Sequence, residues 1–322
     1  MAEARMQKGK QRLLAFGTDP RGLLFLIMLG ISVLTQCINP RFFTLTNIIS
    51  ILQQVAVMGM MTMGMVLLLL CGLSDLSIGM NMTLCAICIS QVLTLTGSVW
   101  LAILAGVAVG GLCGLLNGVI IAKTRCMSLI ITIGTSSIFS GLALVISQGK
   151  FMNFGGKFNF LRIRIFGLFP LTLVFMLAMV LLMAFVIRRT RFGRRCVTVG
   201  SNETAAYLAG IHVDFYKIMS FVIMGLICGV SSVVFVSRLD SIVADAGSSY
   251  SLKVLSAAII GGVTFEGGRG TVLGAVIGVL FIGVISNVMT VLNINTYWQT
   301  ALQGVVIVVA VIASNISNIK RN

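Results

Sequence analysis

Apolar runs long enough to cross a lipid bilayer recur through most of this chain, from Gly22 to Ser314, with only short polar breaks between them. About 20 apolar residues form a helix that spans the hydrocarbon core, and lipid offers no partner to exposed backbone groups. Only 10% of the residues are charged, against roughly 25% in soluble domains. The sequence therefore predicts an all-α polytopic membrane protein that works across or within the membrane.

The apolar runs divide into about ten predicted transmembrane helices, which together form one domain over 22–316. A basic tail, 1–21, precedes this domain and a short tail, 317–322, follows it. The approximate helix bounds are 22–38, 48–71, 76–95, 99–122, 127–146, 170–187, 218–236, 252–263, 271–292 and 298–313. The eighth run is too short to cross at about 1.5 Å of rise per residue. We therefore expect a broken or re-entrant element there, followed by the glycine-rich stretch 261–270.

A second polar break lies at 71–79, and it suggests an internal relationship between the two halves of the chain. Each break precedes a long helix that holds small residues and one asparagine, Asn117 in the first half and Asn287 in the second. A 5+5 inverted repeat would explain this pattern. Small residues also recur by chance in glycine-rich membrane helices, so both explanations stay open.

The net charge of +15 reports topology rather than nucleic-acid binding. The basic residues cluster at 5–21, 123–125, 188–195 and 320–321, which fall on one side if every long run crosses once. Basic loops mark the cytoplasmic side, so we expect both termini in the cytoplasm of a multi-pass cell-membrane protein. The opposite loop also carries cations, namely Lys150, Lys157, Arg162 and Arg164.

The residues for catalysis, metal binding or cofactor binding are nearly absent. His212 is the only histidine, and the stretch near Gly267 lacks the lysine of a phosphate-binding loop. Cys85 and Cys88 have no second cysteine pair that would complete a metal site. The sequence therefore predicts no enzyme, no metal and no cofactor.

Several polar side chains inside the apolar runs are candidates for a translocation pathway. Asp75 lies between two long runs, where an ionisable group costs several kcal/mol unless it is paired or wetted. Alternatively, Asp75 or Ser74 caps the third helix and faces the cytoplasmic interface. Amides could hydrogen-bond a neutral polyhydroxyl solute or join neighbouring helices. The predicted pathway residues are Asp75, Ser77, Gln53, Gln54, Asn81, Asn117 and Asn287.

The segment from Gly200 to Ile211 predicts a short helix at the membrane surface between two spans. Asn202 is a suitable N-cap, Glu203 suits the positive end of the helix dipole, and Gly210 is a suitable terminator. Such a helix could also be a linker that rests on lipid headgroups.

Three ordered motifs resemble the membrane permease of ribose-type ABC importers. They are Asp75-Leu76-Ser77-Ile78-Gly79, the segment Gly200 to Ile211, and Ala246-Gly247 through Tyr250 leading into Gly261-Gly262 and Gly267-Gly268-Arg269-Gly270. The resemblance runs from about Asn39-Pro40-Arg41-Phe42-Phe43 to the last helix.

The resemblance implies a transmembrane subunit for carbohydrate import, for a ribose-type sugar or a related polyol or autoinducer, that works by alternating access. The implied partners are a cytoplasmic ATPase, an extracytoplasmic solute-binding protein and a second permease subunit, identical or not. Residues Gly200, Asn202, Glu203, Ala206, Gly210 and Ile211 then look like the helix that couples to the ATPase. Related permeases for branched-chain amino acids or nucleosides, and an ion-coupled secondary transporter acting alone, are the alternatives.

This chain departs from the family pattern in two places. It has Gly72-Leu73-Ser74 where the family usually shows Gly-Gly-Ile, and it has Ser251 and Lys253 where acidic residues usually follow the aromatic at Tyr250. A positive side chain in place of a negative one inverts the local electrostatics. A different solute, or pairing with a non-identical permease, would account for this.

Overall fold

The computed structural model describes residues 20–165, 167, 169–295, 298–299, 301–302 and 304–305, which are mostly α-helical. The helices are α1 (Pro20–Ile38), α2 (Leu45–Leu70), α3 (Ile78–Thr96), α4 (Val99–Thr124), α5 (Ser128–Ser147), α6 (Leu171–Arg189), α7 (Arg191–Ser201), α8 (Glu203–Leu208), α9 (Val213–Leu239), α10 (Tyr250–Ile260) and α11 (Val272–Val291). A 3₁₀ turn covers Asn159–Arg162, and the strands are β1 (Met152–Asn153), β2 (Arg164–Ile165), β3 (Phe169–Pro170) and β4 (Ser241–Ile242). Strand β1 pairs antiparallel with β4, and β2 pairs antiparallel with β3.

Seven of the described helices, α2 to α6, α9 and α11, are long and apolar enough to cross a membrane. They correspond to the predicted spans two to seven and nine. Helix α1 contributes a shorter apolar stretch, Gly22–Ile38, and α10 is the short element expected in place of an eighth crossing. The predicted tenth span and the two tails lie mostly outside the described residues. The described part of the chain is thus an all-α, multi-pass membrane protein.

Helix α2 lies at the centre of the bundle. Every residue from Val55 to Leu70 is buried, and the helix contacts α6, α9, α10 and α11. A helix that is apolar on all sides is a core helix. In its most apolar window 78% of α2 is buried, against 17% of α6. Helix α6 is therefore peripheral, and its outer residues, such as Leu181 and Phe185, are positioned to face lipid.

Helices α4 and α9 pack along each other through glycines, and we call this contact the glycine seam. Gly110 and Gly114 lie one turn apart on α4, and Gly225 lies opposite them on α9. A Cβ atom on Gly114 would collide with the Phe221 carbonyl oxygen, and one on Gly225 with the Gly110 carbonyl oxygen. Small residues at four-residue spacing let membrane helices approach until their backbones touch. The seam therefore fixes α4 and α9 as one unit.

The two ends of the bundle are identified by contacts between the segments that connect its helices. At one end, the Gly268 N–H donates to the Leu70 carbonyl (3.1 Å), and Lys123 pairs with Asp214 (3.4 Å). We call this the basic end, because among the residues whose side chains are described it carries nine cations: Lys123, Arg125, Arg188, Arg189, Arg191, Arg194, Arg195, Lys217 and Arg269. At the opposite end β1 pairs with β4, and the Asn39 side chain donates to the Val291 carbonyl (2.9 Å).

Helix α10 begins inside the bundle and runs to the basic end. Its 11 residues span about 16 Å at 1.5 Å per residue, roughly half of the 30 Å hydrocarbon core. Residues 240–249 lead to it from the opposite end, and on the way the Gly247 N–H donates to the Thr83 hydroxyl of α3 (2.9 Å). The short eighth run is thus a half-helix preceded by an irregular segment, as its length predicts. Such irregular backbone occurs at membrane depth only where protein or water surrounds it.

Candidate functional site

The break between α2 and α3 holds a buried chain of polar side chains. Asp75 is 1% exposed, and its Oδ1 accepts hydrogen bonds from the Ser77 N–H (2.8 Å) and the Ser77 hydroxyl (2.6 Å). The Ser77 oxygen accepts in turn from Nδ2 of Asn117 on α4 (2.9 Å). Oδ1 of Asn117 is buried without a hydrogen-bond partner among the described residues. The break is therefore joined to α4 by side chains rather than by regular backbone pairing.

The capping alternative for Asp75 and Ser74 is wrong. Helix α3 has Ser77 at its N-cap, and Asp75 lies inside the protein instead of at the interface. The Ser74 N–H donates to the Ser128 hydroxyl of α5 (3.1 Å), and the Leu76 N–H donates to the Thr132 hydroxyl (3.1 Å). These bonds satisfy the irregular backbone of the break and fasten it to α5.

The remaining predicted pathway residues do not all join this cluster. Asn81 lies one turn into α3, 1% exposed, and its amide reaches the Gly110 carbonyl of the glycine seam at 3.5 Å. Asn287 forms a reciprocal pair with Asn47 of α2 (2.8 and 2.9 Å), which joins α11 to α2. Gln53 and Gln54 are half-buried on the first part of α2. The cluster thus contains Asp75, Ser77 and Asn117. Asn81 bonds to the glycine seam instead, and Gln53, Gln54 and Asn287 also lie outside the cluster.

The two irregular segments meet where α3 begins. The Gly79 N–H donates to the Ser251 hydroxyl of α10 (3.0 Å), and a Cβ on Gly79 would collide with the Gly247 carbonyl oxygen. The close approach requires glycine at both Gly79 and Gly247, because a side chain on either would strike the other backbone. The break after α2 and the segment before α10 therefore form one joint inside the bundle.

An open-sided cavity of about 580 Å³ lies beside this joint, between the start of α3, α5 and the start of α10. Sequence reasoning missed it, although three of its serines lie close together on α5. The lining contains five serines and otherwise glycine or apolar residues: Ser136, Ser137, Ser140, Ser248, Ser251, Gly141, Leu76, Met80, Leu144 and Leu252.

Helix α8 forms a projection at the basic end. Asn202 is its N-cap, as predicted, and its Oδ1 accepts from the Ala205 N–H (2.9 Å). Gly210 ends the segment with a positive φ of 78°, also as predicted. Sequence reasoning missed the two large side chains that point outward, Tyr207 (71% exposed) and Leu208 (79%).

The other predicted coupling residues contact the rest of the protein, although the Glu203 side chain is 54% exposed. Glu203 pairs with Lys217 of α9 (2.7 Å), and Ala206 is fully buried. Ile211 is half-buried, and its N–H donates to the Ala206 carbonyl (3.1 Å). Gly200 lies in α7, outside α8. These residues hold α8 in place.

Gly200 belongs to a junction of three segments. A Cβ on Gly200 would collide with the Leu70 carbonyl oxygen at the end of α2, and a Cβ on Gly267 would lie 2.6 Å from the Gly200 carbonyl oxygen. Gly72 lies against the same glycine. The base of the α8 projection therefore touches both the break after α2 and the loop that follows α10.

The sequence comparisons place the whole membrane domain among transport proteins. Residues 47–311 match the family described as branched-chain amino acid transport system / permease component. The ribose import permease protein RbsC of Bacillus subtilis (strain 168) is 34% identical over 90% of this chain and 89% of its own. The D-allose transport system permease protein AlsC of Escherichia coli (strain K12) is 33% identical over 91% of this chain and 90% of its own.

The L-arabinose transport system permease protein AraH of Escherichia coli (strain K12) is 34% identical over 85% of this chain and 84% of its own. No solved structure matches the chain. Because the family match covers most of the chain and the relatives align over nearly their full length, the chain belongs to the branched-chain amino acid transport system permease family, among relatives that are sugar permeases.

Proposed function

We propose that this chain is the transmembrane subunit of an ABC importer that takes up a sugar by alternating access, driven by a separate ATPase. Relatives named for ribose, allose and arabinose support the sugar, and the name of one of them, an L-arabinose ABC transporter permease, supports the ATPase. The observation that carries the mechanism is α8, which presents Tyr207 and Leu208 outward from a base that is fixed to the core.

In this proposal the basic end is cytoplasmic and both termini lie on that side. The concentration of cations there supports the orientation, because basic residues accumulate in cytoplasmic loops. The ATPase would receive Tyr207 and Leu208, while Glu203, Ala206 and Ile211 keep α8 rigid. A rigid projection transmits a displacement to the helices that hold it, because it does not itself deform.

The contact among Gly72, Gly200 and Gly267, which we call the glycine junction, is the proposed route by which a movement of the α8 projection reaches the pathway. Gly200 lies against the end of α2 and against the loop after α10. A shift of α7 would therefore displace both irregular segments, which meet at Gly79 and Gly247. Packed interfaces tend to be bistable, so a small shift at one end can switch the other between two arrangements.

We also propose ten spans, an inverted repeat, a second permease subunit and an extracytoplasmic solute-binding protein. The two irregular segments that approach from opposite ends of the bundle support the repeat. Against a close repeat, Asn117 bonds to Ser77 whereas Asn287 bonds to Asn47. Because the matched family is described as a branched-chain amino acid permease component, a branched-chain amino acid is the second candidate for the solute.

An ion-coupled carrier that acts alone is the less favoured class. Asp75 is the one buried carboxylate among the described residues, and it accepts hydrogen bonds from Ser77 rather than facing a site open to ions. Transport by the purified chain in liposomes under an ion gradient, without an ATPase, would support that class instead.

The coupling proposal is tested with Leu208→Glu in the assembled importer. The new carboxylate would be buried without a partner at the interface with the ATPase. It should therefore prevent docking and abolish solute-stimulated ATP hydrolysis, while the amount of protein in the membrane stays the same. The matched control is Met127→Glu, which makes the same kind of change at another exposed apolar side chain (71%) of the basic end. Equal effects of the two substitutions would contradict a docking role for α8.

A further inference from the structure

The serine-lined cavity beside the joint has a chemical character that restricts the class of solute it can hold. Its volume of about 580 Å³ falls within the range of small-molecule pockets, about 300–1,000 Å³. Half of its ten lining residues are serines, and none of the lining residues in the described part of the chain is charged. Each hydroxyl can both donate and accept a hydrogen bond.

Two residues of the cavity wall, Ser251 and Leu76, form hydrogen bonds at or near the polar break. Ser251 is 6% exposed, and its oxygen already accepts from the Gly79 N–H (3.0 Å), so its own proton is left to donate. Leu76, which also lines the cavity, is held by the Thr132 hydroxyl. Ser136 and Ser140 lie one turn apart on α5 and face the same space.

We propose that this cavity is the solute-selecting section of the pathway, and that it accepts a neutral polyhydroxyl molecule and rejects ions and zwitterions. The inference rests on the proposed transport function and deepens it. A polyhydroxyl solute matches hydroxyl-lined walls group for group, because each of its hydroxyls also donates and accepts. A zwitterion such as a free amino acid displaces water from the cavity, and its charges then meet no compensating charge on the walls, at a cost of several kcal/mol.

The first test needs neither the ATPase nor the identity of the solute. The variants Ser140→Cys and Leu142→Cys place thiols two residues apart on α5, one lining the cavity and one on the exposed apolar face. Each is treated with neutral 2-hydroxyethyl methanethiosulfonate and with its trimethylammonium counterpart. The rate of modification measured on the parent protein is subtracted from that of each variant. The difference is then divided by the rate at which the same reagent modifies free cysteine.

The proposal expects Ser140→Cys to react with the neutral reagent at least tenfold faster than Leu142→Cys, because thiols react in water and not in lipid. It also expects the charged reagent to modify Ser140→Cys at least tenfold more slowly than the neutral one. Equal rates at the two positions would overturn the cavity as a wet pathway. Equal rates with the two reagents at Ser140→Cys would overturn the rejection of charge.

The second test measures uptake by the complete importer. Neutral D-ribose, D-allose and L-arabinose are compared with zwitterionic L-leucine in the parent and in Ser136→Ala, Ser140→Ala and the double variant. Each lost hydrogen bond should reduce uptake of the transported sugar about two- to tenfold. The control, Ser232→Ala, removes a buried hydroxyl of α9 that bonds only within its own helix, to the Gly229 carbonyl (2.7 Å).

Uptake of leucine without uptake of any of the three sugars would overturn the proposal, and so would alanine variants that behave like Ser232→Ala. Failure of the coupling proposal has a different signature, since Leu208→Glu would then leave stimulated ATP hydrolysis intact. The thiol rates at Ser140→Cys do not depend on that result, so the two proposals can fail separately.

Discussion

The glycine seam between α4 and α9 and the wall shared by α3, α5 and α10 both lie within the bundle, but they use small residues in opposite ways. In the seam, glycines bring two backbones into contact and leave no room for a Cβ atom at Gly110, Gly114 or Gly225. In the wall, serines border an open volume of about 580 Å³. Glycine closes the distance between helices, whereas serine supplies a polar surface to a space that is kept open.

This difference separates the parts that are fixed from the parts that are free to rearrange. The seam runs along most of α4 and α9, and α9 holds the α8 projection through Lys217 and Glu203. The wall instead contains two irregular segments whose backbone N–H groups donate to side chains of α5 and α3. A displacement of α8 therefore moves α4 and α9 together as one rigid pair, and it also acts on a wall whose irregular segments can rearrange.

The largest expected effect comes from breaking the seam with Gly114→Val. The new side chain would strike the Phe221 carbonyl oxygen, so the helices must separate, and we expect the free energy of unfolding to fall by about 3 kcal/mol. The control is Gly134→Val on α5, where nothing lies within 4 Å of the added Cβ. Unfolding of the purified proteins in detergent, titrated with denaturant, measures both; similar losses would mean that the seam is not a special contact.

A smaller effect is expected from the polar break with Asp75→Ala. The substitution leaves the Ser77 N–H and hydroxyl without their acceptor inside the protein, which should lower the free energy of unfolding by about 2 kcal/mol. Asp75→Asn retains an acceptor oxygen in the same place and should cost much less. The same denaturant titration compares the two variants. If Asp75→Asn were as damaging as Ala, the charge and not the hydrogen bonds would hold the break.

Sequence patterns predicted the helices well because membrane-spanning helices are defined by length and apolarity, which are local properties. Seven predicted spans correspond to described helices, and the eighth run was too short for a crossing and is a half-helix. The N-cap at Asn202 was predictable for the same reason, since a cap depends on a few neighbouring residues.

The partners of individual polar side chains were not predictable, because they depend on how each helix is rotated about its axis. Asn117 and Asn287 have similar surroundings in sequence, yet one bonds to Ser77 in the break and the other to Asn47. In the same way Ala206 turns inward while Tyr207 turns outward. The serine cavity joins three elements that are distant in sequence, so only packing reveals it.

The smallest expected effect tests whether charge contributes to the pairing of α4 and α9. Lys123 and Asp214 form an ion pair at the basic end of the seam, but their side chains are 69% and 50% exposed. Exposed pairs contribute little, because water screens them, so Lys123→Ala should change the free energy of unfolding by less than about 0.5 kcal/mol. The denaturant titration used for Gly114→Val measures this change directly. A loss as large as that of Gly114→Val would mean that charge at the helix ends, and not backbone contact between glycines, holds the rigid pair together.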